Sequence, residues 1–150
     1  MRSLTVLMLL CLPLFAQAAT FTPAQQSQLC QAAASEDGLG AAVDKLIVSK
    51  RFNYKQAGSL LSLDCGKGSF LLSVLVDQKR AENLEYAVID LGLDVDAPLV
   101  QHGGKHFSVS QYLRDVAAQK GQTASFAAGY LRNFHDPEFN PNLAMRVSMN

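Results

Sequence analysis

The sequence predicts an all-α fold of stacked helix hairpins behind an N-terminal capping helix. Apolar residues recur at helical spacing along most of the chain after residue 22. Hydroxyl-x-x-Gln capping boxes open two of the helical segments, at Thr22 and Ser108, and glycines close others. A compact α-helical bundle is the alternative, because it would show the same periodicity.

The first 18 residues have the layout of a cleavable signal peptide. Arg2 precedes an apolar run from Leu4 to Phe15, and Ala16-Gln17-Ala18 forms a small-x-small cleavage site. The run is well short of the ~20 residues that a membrane-crossing helix needs, so we expect no membrane anchor. We therefore predict export to a periplasm or, as the alternative, secretion.

Composition restricts the partners of the remaining chain. Residues 19–150 are expected to form a single domain. Removing Arg2 from the 13 basic residues leaves 12 against 13 acidic residues, a formal charge of about −1. Nucleic acids and anionic membrane surfaces require a basic excess on some face, so they are not expected partners.

Two cysteines remain once Cys11 leaves with the signal peptide. Cys30 and Cys65 are expected to form a disulfide, because paired cysteines usually do so in an oxidising compartment. Closing a loop of about 36 residues should stabilise the fold by roughly 3–4 kcal/mol on the chain-entropy model. A redox or catalytic thiol is the alternative, but the chain has no Cys-x-x-Cys spacing to support it.

Three helices are predicted in the first half of the domain. The capping box Thr22-Pro23-Ala24-Gln25 begins a helix that runs to about Ser35. After the break at Glu36-Asp37-Gly38, apolar spacing predicts a second helix through about Lys50. Asn53 can cap a third helix, which ends before the cysteine-glycine turn that follows it.

A second pair of helices is predicted next along the chain. Ser69 can cap a helix that runs to about Lys79, and the partner of this helix closes at Gly92. We expect a long loop to follow, from Leu93 to Lys105.

The last pair of helices follows this loop. The capping box Ser108-Val109-Ser110-Gln111 opens a helix that stops at Gly121, and Thr123 is expected to cap the final helix. The tail from about His135 contains two prolines and is predicted to be irregular.

One segment carries a resemblance to a known family. The first helices of the three pairs begin near residues 40, 69 and 108, spacings typical of helix-hairpin repeats. Residues Asn83 to Ala97, followed by Gly103-Gly104-Lys105, resemble the second helix, the Gly-Ala-Asp-Val-Asn-Ala turn and the start of the next unit in an ankyrin repeat. Leu93 departs from the usual alanine and Asp96 from the usual asparagine. The Thr-Pro-Leu-His opening is absent, and about 40 residues match well.

Two short patterns that suggest ligand sites have simpler explanations. Gly66-Lys67-Gly68-Ser69 is glycine-rich like a phosphate loop, but it lacks the Walker spacing and is expected to be a turn. His102 and His106 are four residues apart, as on a zinc-binding helix. Gly103-Gly104 lies between them and favours a loop, so we expect neither a metal nor a cofactor.

Candidate catalytic groups are equally unconvincing. Asp94 and Asp96 are alternate residues of an extended turn, so their carboxylates should point apart rather than act as an acid and a base. Ser110, His106 and Asp115 could form a triad, but no nucleophile-elbow glycines flank any serine. The sequence therefore predicts a protein that is not an enzyme.

The ankyrin resemblance implies a partner-binding surface made of loop tips. Ankyrin-like stacks bind other proteins through such loops, and the second loop here is longer than usual. We therefore predict an exported, non-catalytic module that binds another protein of the same compartment, such as an immunity-type inhibitor of a toxin or an envelope-stress accessory protein. The residues expected to bind this partner are Lys67, Asp94, Asp96, Gln101, His102, Lys105 and His106.

A binder of a small molecule or of an envelope component is the alternative function. Its ligand would enter between helices lined by Phe70, Tyr86, Phe107 and Tyr112. An apolar cavity of a few hundred cubic ångströms would favour this alternative.

Overall fold

The computed structural model describes residues 20–147, with side chains described through residue 145. The predicted signal peptide, residues 1–18, lies outside the described residues. The prediction of a mainly helical domain is confirmed. The prediction of an all-α fold was wrong in one respect, because two small antiparallel sheets of two strands each accompany the helices.

The N-terminal part of the domain is helical, as predicted. Its elements are α1 (Pro23–Ala34), α2 (Gly38–Val48), a short 3₁₀ turn (Tyr54–Gln56) and α3 (Ala57–Leu61). The predicted capping box of α1 is confirmed, because the Gln25 backbone N–H donates to Thr22 Oγ1 and the Thr22 N–H donates to Gln25 Oε1.

A β-hairpin precedes the next helices. Its strands are β1 (Asp64–Gly66) and β2 (Ser69–Phe70), and α4 (Leu71–Asp77) follows directly. The prediction that Ser69 caps a helix was wrong, because Ser69 pairs with Gly66 across the hairpin. The three residues before Ser69 all have positive φ angles, which closes the chain into a tight turn there.

The partner of α4 changes its helical pitch along its length. Helix α5 (Ala81–Glu85) continues into one π-helical turn (Tyr86–Asp90). The Leu91 N–H donates to the Tyr86 carbonyl, five residues back, and Gly92 then ends the helix with a φ of 64°.

A second hairpin and three helices complete the domain. They are β3 (Val100–His102), β4 (Lys105–Phe107), α6 (Val109–Ala117), α7 (Gln122–Asn133) and α8 (Asn142–Val147). The prediction of a long loop from Leu93 to Lys105 was wrong at its C-terminal end, because most of the second hairpin lies within this range. Thr123 does not cap α7, which begins one residue earlier after Gly121.

The C-terminal segment packs on the domain and is not irregular throughout. The prediction of an irregular tail was wrong at residues 142–147, which form α8. The fully buried Asn140 donates to the Phe134 carbonyl, and Asn142 Nδ2 donates at 2.9 Å to the carbonyl of Ile89 in the π-helical turn. These side chains tie the C-terminal segment to the end of α7 and to the π-helical turn.

A leucine-rich core and one disulfide hold the helices together. The predicted disulfide between Cys30 and Cys65 is confirmed, and it ties α1 to β1. Within residues 20–147, no helix is both long enough and apolar enough to cross a membrane. The largest fully buried side chains include Leu29, Leu39, Leu60, Leu61, Leu71, Leu72, Leu75, Leu84, Leu113 and Phe134.

The same succession of elements occurs twice. The β1–β2 hairpin leads into α4, α5 and the π-helical turn, and the β3–β4 hairpin leads into α6 and α7. The two hairpins start at Asp64 and Val100, which are 36 residues apart in the sequence (100 − 64). Each hairpin therefore directly precedes the first helix of an antiparallel pair.

Candidate functional site

An aromatic cleft lies between the second hairpin and α6. It has a volume of about 380 Å³ and is open to solvent on one side. Its apolar walls come from β2, β4 and α6, and charged or polar side chains surround its mouth. The residues that line it are Phe70, His102, Lys105, His106, Phe107, Gln111, Tyr112 and Asp115.

The hairpin that forms one wall is set by its turn. Gly103 and Gly104 both have positive φ angles, at 57° and 74°, which is the backbone that a two-residue hairpin turn requires. His102 pairs with Lys105 across the turn, and Gln101 pairs with His106. Because side chains alternate along a strand, His102 and Lys105 share one face of the hairpin, and Gln101 and His106 share the other.

The rest of the domain holds this hairpin in place at two points. The Gln101 N–H donates at 2.8 Å to Ser62 Oγ, at the end of α3. At the other end, the Gln111 N–H donates to Ser108 Oγ, so Ser108 caps α6 as predicted. The strands are only three residues long, and these contacts fix where they lie.

Four rings form the floor of the cleft. The His102 ring stacks on Phe70, with centroids 4.4 Å apart and an interplanar angle of 23°. Phe107 and Tyr112 meet the Phe70 ring edge-on, at 5.7 and 5.3 Å. Such offset and edge-to-face pairs are favourable geometries for aromatic rings, so the floor is a preorganised apolar surface.

Tyr112 adds a hydrogen-bond donor to this floor. Burial, reinforced by the nearby Asp77 carboxylate, raises the pKa of Tyr112 to about 12. The phenol is therefore neutral at physiological pH. A neutral phenol can donate a hydrogen bond, and Tyr112 is one of the residues that line the cleft.

The structure separates the seven predicted partner-binding residues. His102, Lys105 and His106 line the cleft, and Gln101 lies on the hairpin beside it. Lys67 lies at the turn of the other hairpin with a φ of 55°.

Asp94 and Asp96 belong to the turn before β3. The Asp96 N–H donates to the Asp94 carboxylate, which fixes this turn locally. Gln111 and Asp115 also line the cleft but were not predicted to bind the partner, and their four-residue spacing on α6 is the signal that could have identified them.

A close backbone contact also positions the second hairpin. We expect Gly58→Ala in α3 to lower the free energy of unfolding by about 1–3 kcal/mol. A Cβ atom at residue 58 would lie 2.4 Å from the Leu99 carbonyl oxygen, just before β3. Urea unfolding midpoints would measure the effect.

The matched control for this substitution is Gly129→Ala in α7. A Cβ atom there meets no atom within 4 Å, so alanine should stabilise the helix by about 0.5–1 kcal/mol. Midpoints that shift in the same direction for both variants would contradict the assigned role of Gly58.

A second polar cluster joins the end of α7 to the turn before β3. His135 Nε2 lies 3.1 and 3.2 Å from the two carboxylate oxygens of Asp96 and 3.4 Å from Ser110 Oγ. His135 Nδ1 lies 2.7 Å from the Leu131 carbonyl oxygen. The imidazole beside Ser110 is thus that of His135, and the hypothetical triad of Ser110 with His106 and Asp115 is not assembled.

The geometry of this cluster differs from that of a nucleophilic triad. In a triad, the serine and the carboxylate face different nitrogens of the imidazole. Here both face Nε2, and Ser110 is only 2% exposed. The arrangement is a charge-assisted tie between the Asp96 turn and the C-terminal end of α7.

This tie should make stability depend on pH. The hydrogen bond to the Leu131 carbonyl and the Asp96 carboxylate raise the pKa of His135, against partial burial and Arg114. Because the folded-state pKa is raised, the protonated form stabilises the fold fully below the unfolded pKa of about 6.5. This stabilisation is lost as the pH rises through the folded-state pKa.

We therefore expect His135→Gln to lower the free energy of unfolding by about 0.5–1 kcal/mol under mildly acidic conditions and by less at alkaline pH. Urea unfolding at the two pH values measures this difference. Asp96→Asn should remove a smaller part of the stabilisation that protonated His135 provides, because the hydrogen bond between His135 and the Leu131 carbonyl remains. A loss that is equal at both pH values would contradict the role of His135.

The structure offers no assembled metal centre in its described part. No group of three or more His, Cys, Asp or Glu side chains there could hold an ion. His102 is stacked on Phe70. His102 and His106 lie on the two strands of the second hairpin and not on one helix. Comparisons with protein-family models, curated proteins and solved structures find no match to this chain.

Proposed function

We propose that this chain is an exported, non-catalytic protein-binding module built as a degenerate ankyrin-like stack. The observation that carries the proposal is the aromatic cleft beside the second hairpin, where three of the seven predicted contact residues converge. The partner that we propose is another protein of the same compartment. An immunity-type inhibitor of a toxin and an envelope-stress accessory protein are two forms that such a module could take.

The repeated order of elements supports an ankyrin-like stack. A short hairpin followed by two antiparallel helices is the unit of that architecture, and its usual length is about 33 residues. Here the hairpins begin 36 residues apart (100 − 64). The Asp94 to Asp96 turn and the Gly103-Gly104 turn stand where the sequence resembles the ankyrin loop.

The chemistry of the cleft supports a protein partner. Clustered aromatic rings with a polar rim are typical of the central residues of protein interfaces. Lys105 and His106 are exposed at the rim, and Tyr112 can donate a hydrogen bond from the floor. The lining carries both signs of charge, because it includes Lys105 and Asp115.

The disulfide supports export to an oxidising compartment. Such bonds persist outside the reducing cytoplasm, and the first 18 residues have the layout of a signal peptide. We propose the periplasm as this compartment and secretion as the alternative.

Site-specific photocrosslinking in the producing cell tests the binding surface. A photoreactive amino acid at Lys105 should give one dominant protein adduct, whereas the same group at Lys120, exposed between α6 and α7, should not. Adducts of the same proteins at both positions, or none at Lys105, would contradict the proposal.

Affinity for the captured and purified partner then tests the side chains. Lys105→Ala combined with His106→Ala should weaken binding at least about tenfold, as hot-spot side chains do. Gln119→Ala combined with Lys120→Ala changes two exposed residues away from the cleft and is the matched control. Equal affinities of the two double variants would reject this surface.

A small-molecule or envelope-component binder is the second candidate. The cleft volume of about 380 Å³ and the clustering of Phe70, Phe107 and Tyr112 favour it. Tyr86, the fourth predicted lining residue, lies elsewhere and donates to the Asp44 carboxylate at 2.9 Å. Crosslinking at Lys105 that captures no protein, together with aromatic ligands that protect the fold against urea, would favour this candidate.

A further inference from the structure

A local excess of positive charge lies around the end of α2. Lys45, Lys50, Arg51 and Lys55 carry four positive charges, and residues 45–63 contain no acidic residue. The whole chain has 13 basic and 13 acidic residues, so its net charge conceals this local excess. The expectation that anionic surfaces are poor partners rested on net charge, which does not describe this face.

We call residues 48–55 the basic loop, and two apolar side chains project from it. Val48 is 83% exposed and Tyr54 is 56% exposed. Tyr54, Lys50 and Arg51 line one shallow depression of about 380 Å³. Lys50 and Arg51 therefore lie beside the exposed Tyr54 ring, and the exposed Val48 precedes Lys50 by two residues in the sequence.

The fold itself holds the basic loop in shape. Phe52 is buried and stacks on Phe21 at a centroid distance of 6.1 Å, and the Arg51 N–H donates to the Leu46 carbonyl. Asn53 and Gln56 form a capping box that closes the 3₁₀ turn. Neither Val48 nor Tyr54 contributes to this anchoring, so burial does not explain why they are apolar.

The cations around the basic loop are not held in ion pairs in the part of the chain that the structure describes. Asp44, the nearest acidic residue in the sequence, accepts the hydrogen bond of Tyr86. The positive charge around Val48 and Tyr54 is therefore available to an external anion.

We infer that the basic loop is a docking surface for anionic phospholipid headgroups. Lys and Arg side chains near a membrane surface are attracted to such headgroups, and tyrosine prefers the interface between headgroups and acyl chains. Val48 would enter the outer edge of the acyl layer. This combination of apolar tip and surrounding cations fits a lipid surface better than an acidic protein, which would leave Val48 without an apolar partner.

This surface differs from the cleft of the proposed function. The basic loop joins α2 to the 3₁₀ turn, whereas the cleft is formed by β2, β4 and α6. Loss of one activity therefore need not affect the other.

Co-sedimentation of the purified, disulfide-bonded protein with vesicles tests the inference. We expect binding to vesicles of mixed phosphatidylglycerol and phosphatidylcholine that weakens as salt is added, and no binding to pure phosphatidylcholine. Lys50→Glu, Arg51→Glu and Lys55→Glu together should weaken partitioning about a hundredfold or more. The matched control changes three exposed cations elsewhere, Lys79→Glu, Lys120→Glu and Arg132→Glu, and should retain most of the binding.

A second variant separates the apolar contribution from the charge. Val48→Ser with Tyr54→Ser keeps all cations and should weaken partitioning several-fold while the salt dependence persists. Equal losses in the two triple variants would show that only net charge matters and would overturn the inference. Binding to soluble polyglutamate but not to the vesicles would assign the loop to an acidic protein instead.

Discussion

Asn83→Ala should lower the free energy of unfolding by about 3–5 kcal/mol, the largest effect that we expect from a single substitution. Asn83 belongs to α5 and is 1% exposed. Its Oδ1 accepts the N–H of Leu39 at 3.0 Å, and its Nδ2 donates to the carbonyls of Ala32, Ala33 and Ser35 at 2.8–3.2 Å.

These four partners are backbone groups at two helix ends, where helical hydrogen bonds run out, and the Ala32 carbonyl also accepts from Ser35. Leu39 lies in the first turn of α2, and the three carbonyls lie at the C-terminal end of α1. Alanine would remove the Asn83 hydrogen bonds of the Leu39 N–H and of the Ala33 and Ser35 carbonyls, and each unmade hydrogen bond in a buried site costs about 1–3 kcal/mol before water enters.

Urea unfolding with fitted slopes would measure this loss. Asn83→Asp keeps an acceptor for Leu39 but sets a carboxylate against the carbonyls, so it should be at least as destabilising as alanine. Asn133→Ala, at the end of α7, is the control. The Asn133 side chain makes no hydrogen bond within residues 20–147, and the change should stay within about 0.5 kcal/mol. Equal effects of Asn83→Ala and Asn133→Ala would contradict the assigned role.

Removing the disulfide is the second large effect. Replacing Cys30 and Cys65 together with alanine should lower the free energy of unfolding by about 3–4 kcal/mol, because the bond closes a loop with a sequence separation of 35. Most of this loss arises in the unfolded chain, whose conformational entropy increases when the bond is removed. In the folded state, α1 would still contact β1 through Gln26, whose Nε2 donates to the Asp64 carbonyl at 2.5 Å.

Unfolding midpoints with and without a reducing agent would check this prediction. Reduction should lower the wild-type midpoint to that of the double alanine variant and leave the variant unchanged. A wild-type midpoint that does not respond to complete reduction would show that the loop closure contributes little.

Local sequence patterns predicted the helices well where a cap lies beside them. Thr22 with Gln25 and Ser108 with Gln111 form hydrogen bonds between residues three apart, so the sequence alone contains both partners. Thr123 failed as a cap because Gly121, with a φ of 109°, takes the N-cap position two residues sooner. The strands escaped detection because three residues are too few to show an alternating pattern.

Distant contacts decided which residues share a site. Gln101 reaches Ser62 across 39 residues, and His135 reaches Asp96 across the same separation. Nothing near these residues in the sequence indicates either contact. For this reason the predicted contact residues divide between the cleft, the Asp96 turn and the first hairpin.

The sequence by itself determined the mainly helical character, two helix caps and the disulfide partners. Each depends on periodicity, on hydrogen bonds within one helical turn or on the presence of only two cysteines after residue 18. The tertiary structure alone decided the two hairpins, the cleft against α6 and the buried role of Asn83. Each hairpin pairs residues three to seven apart, in strands too short to show an alternating pattern. The cleft and the role of Asn83 depend on groups that lie 30 or more residues apart and meet only when the core has packed.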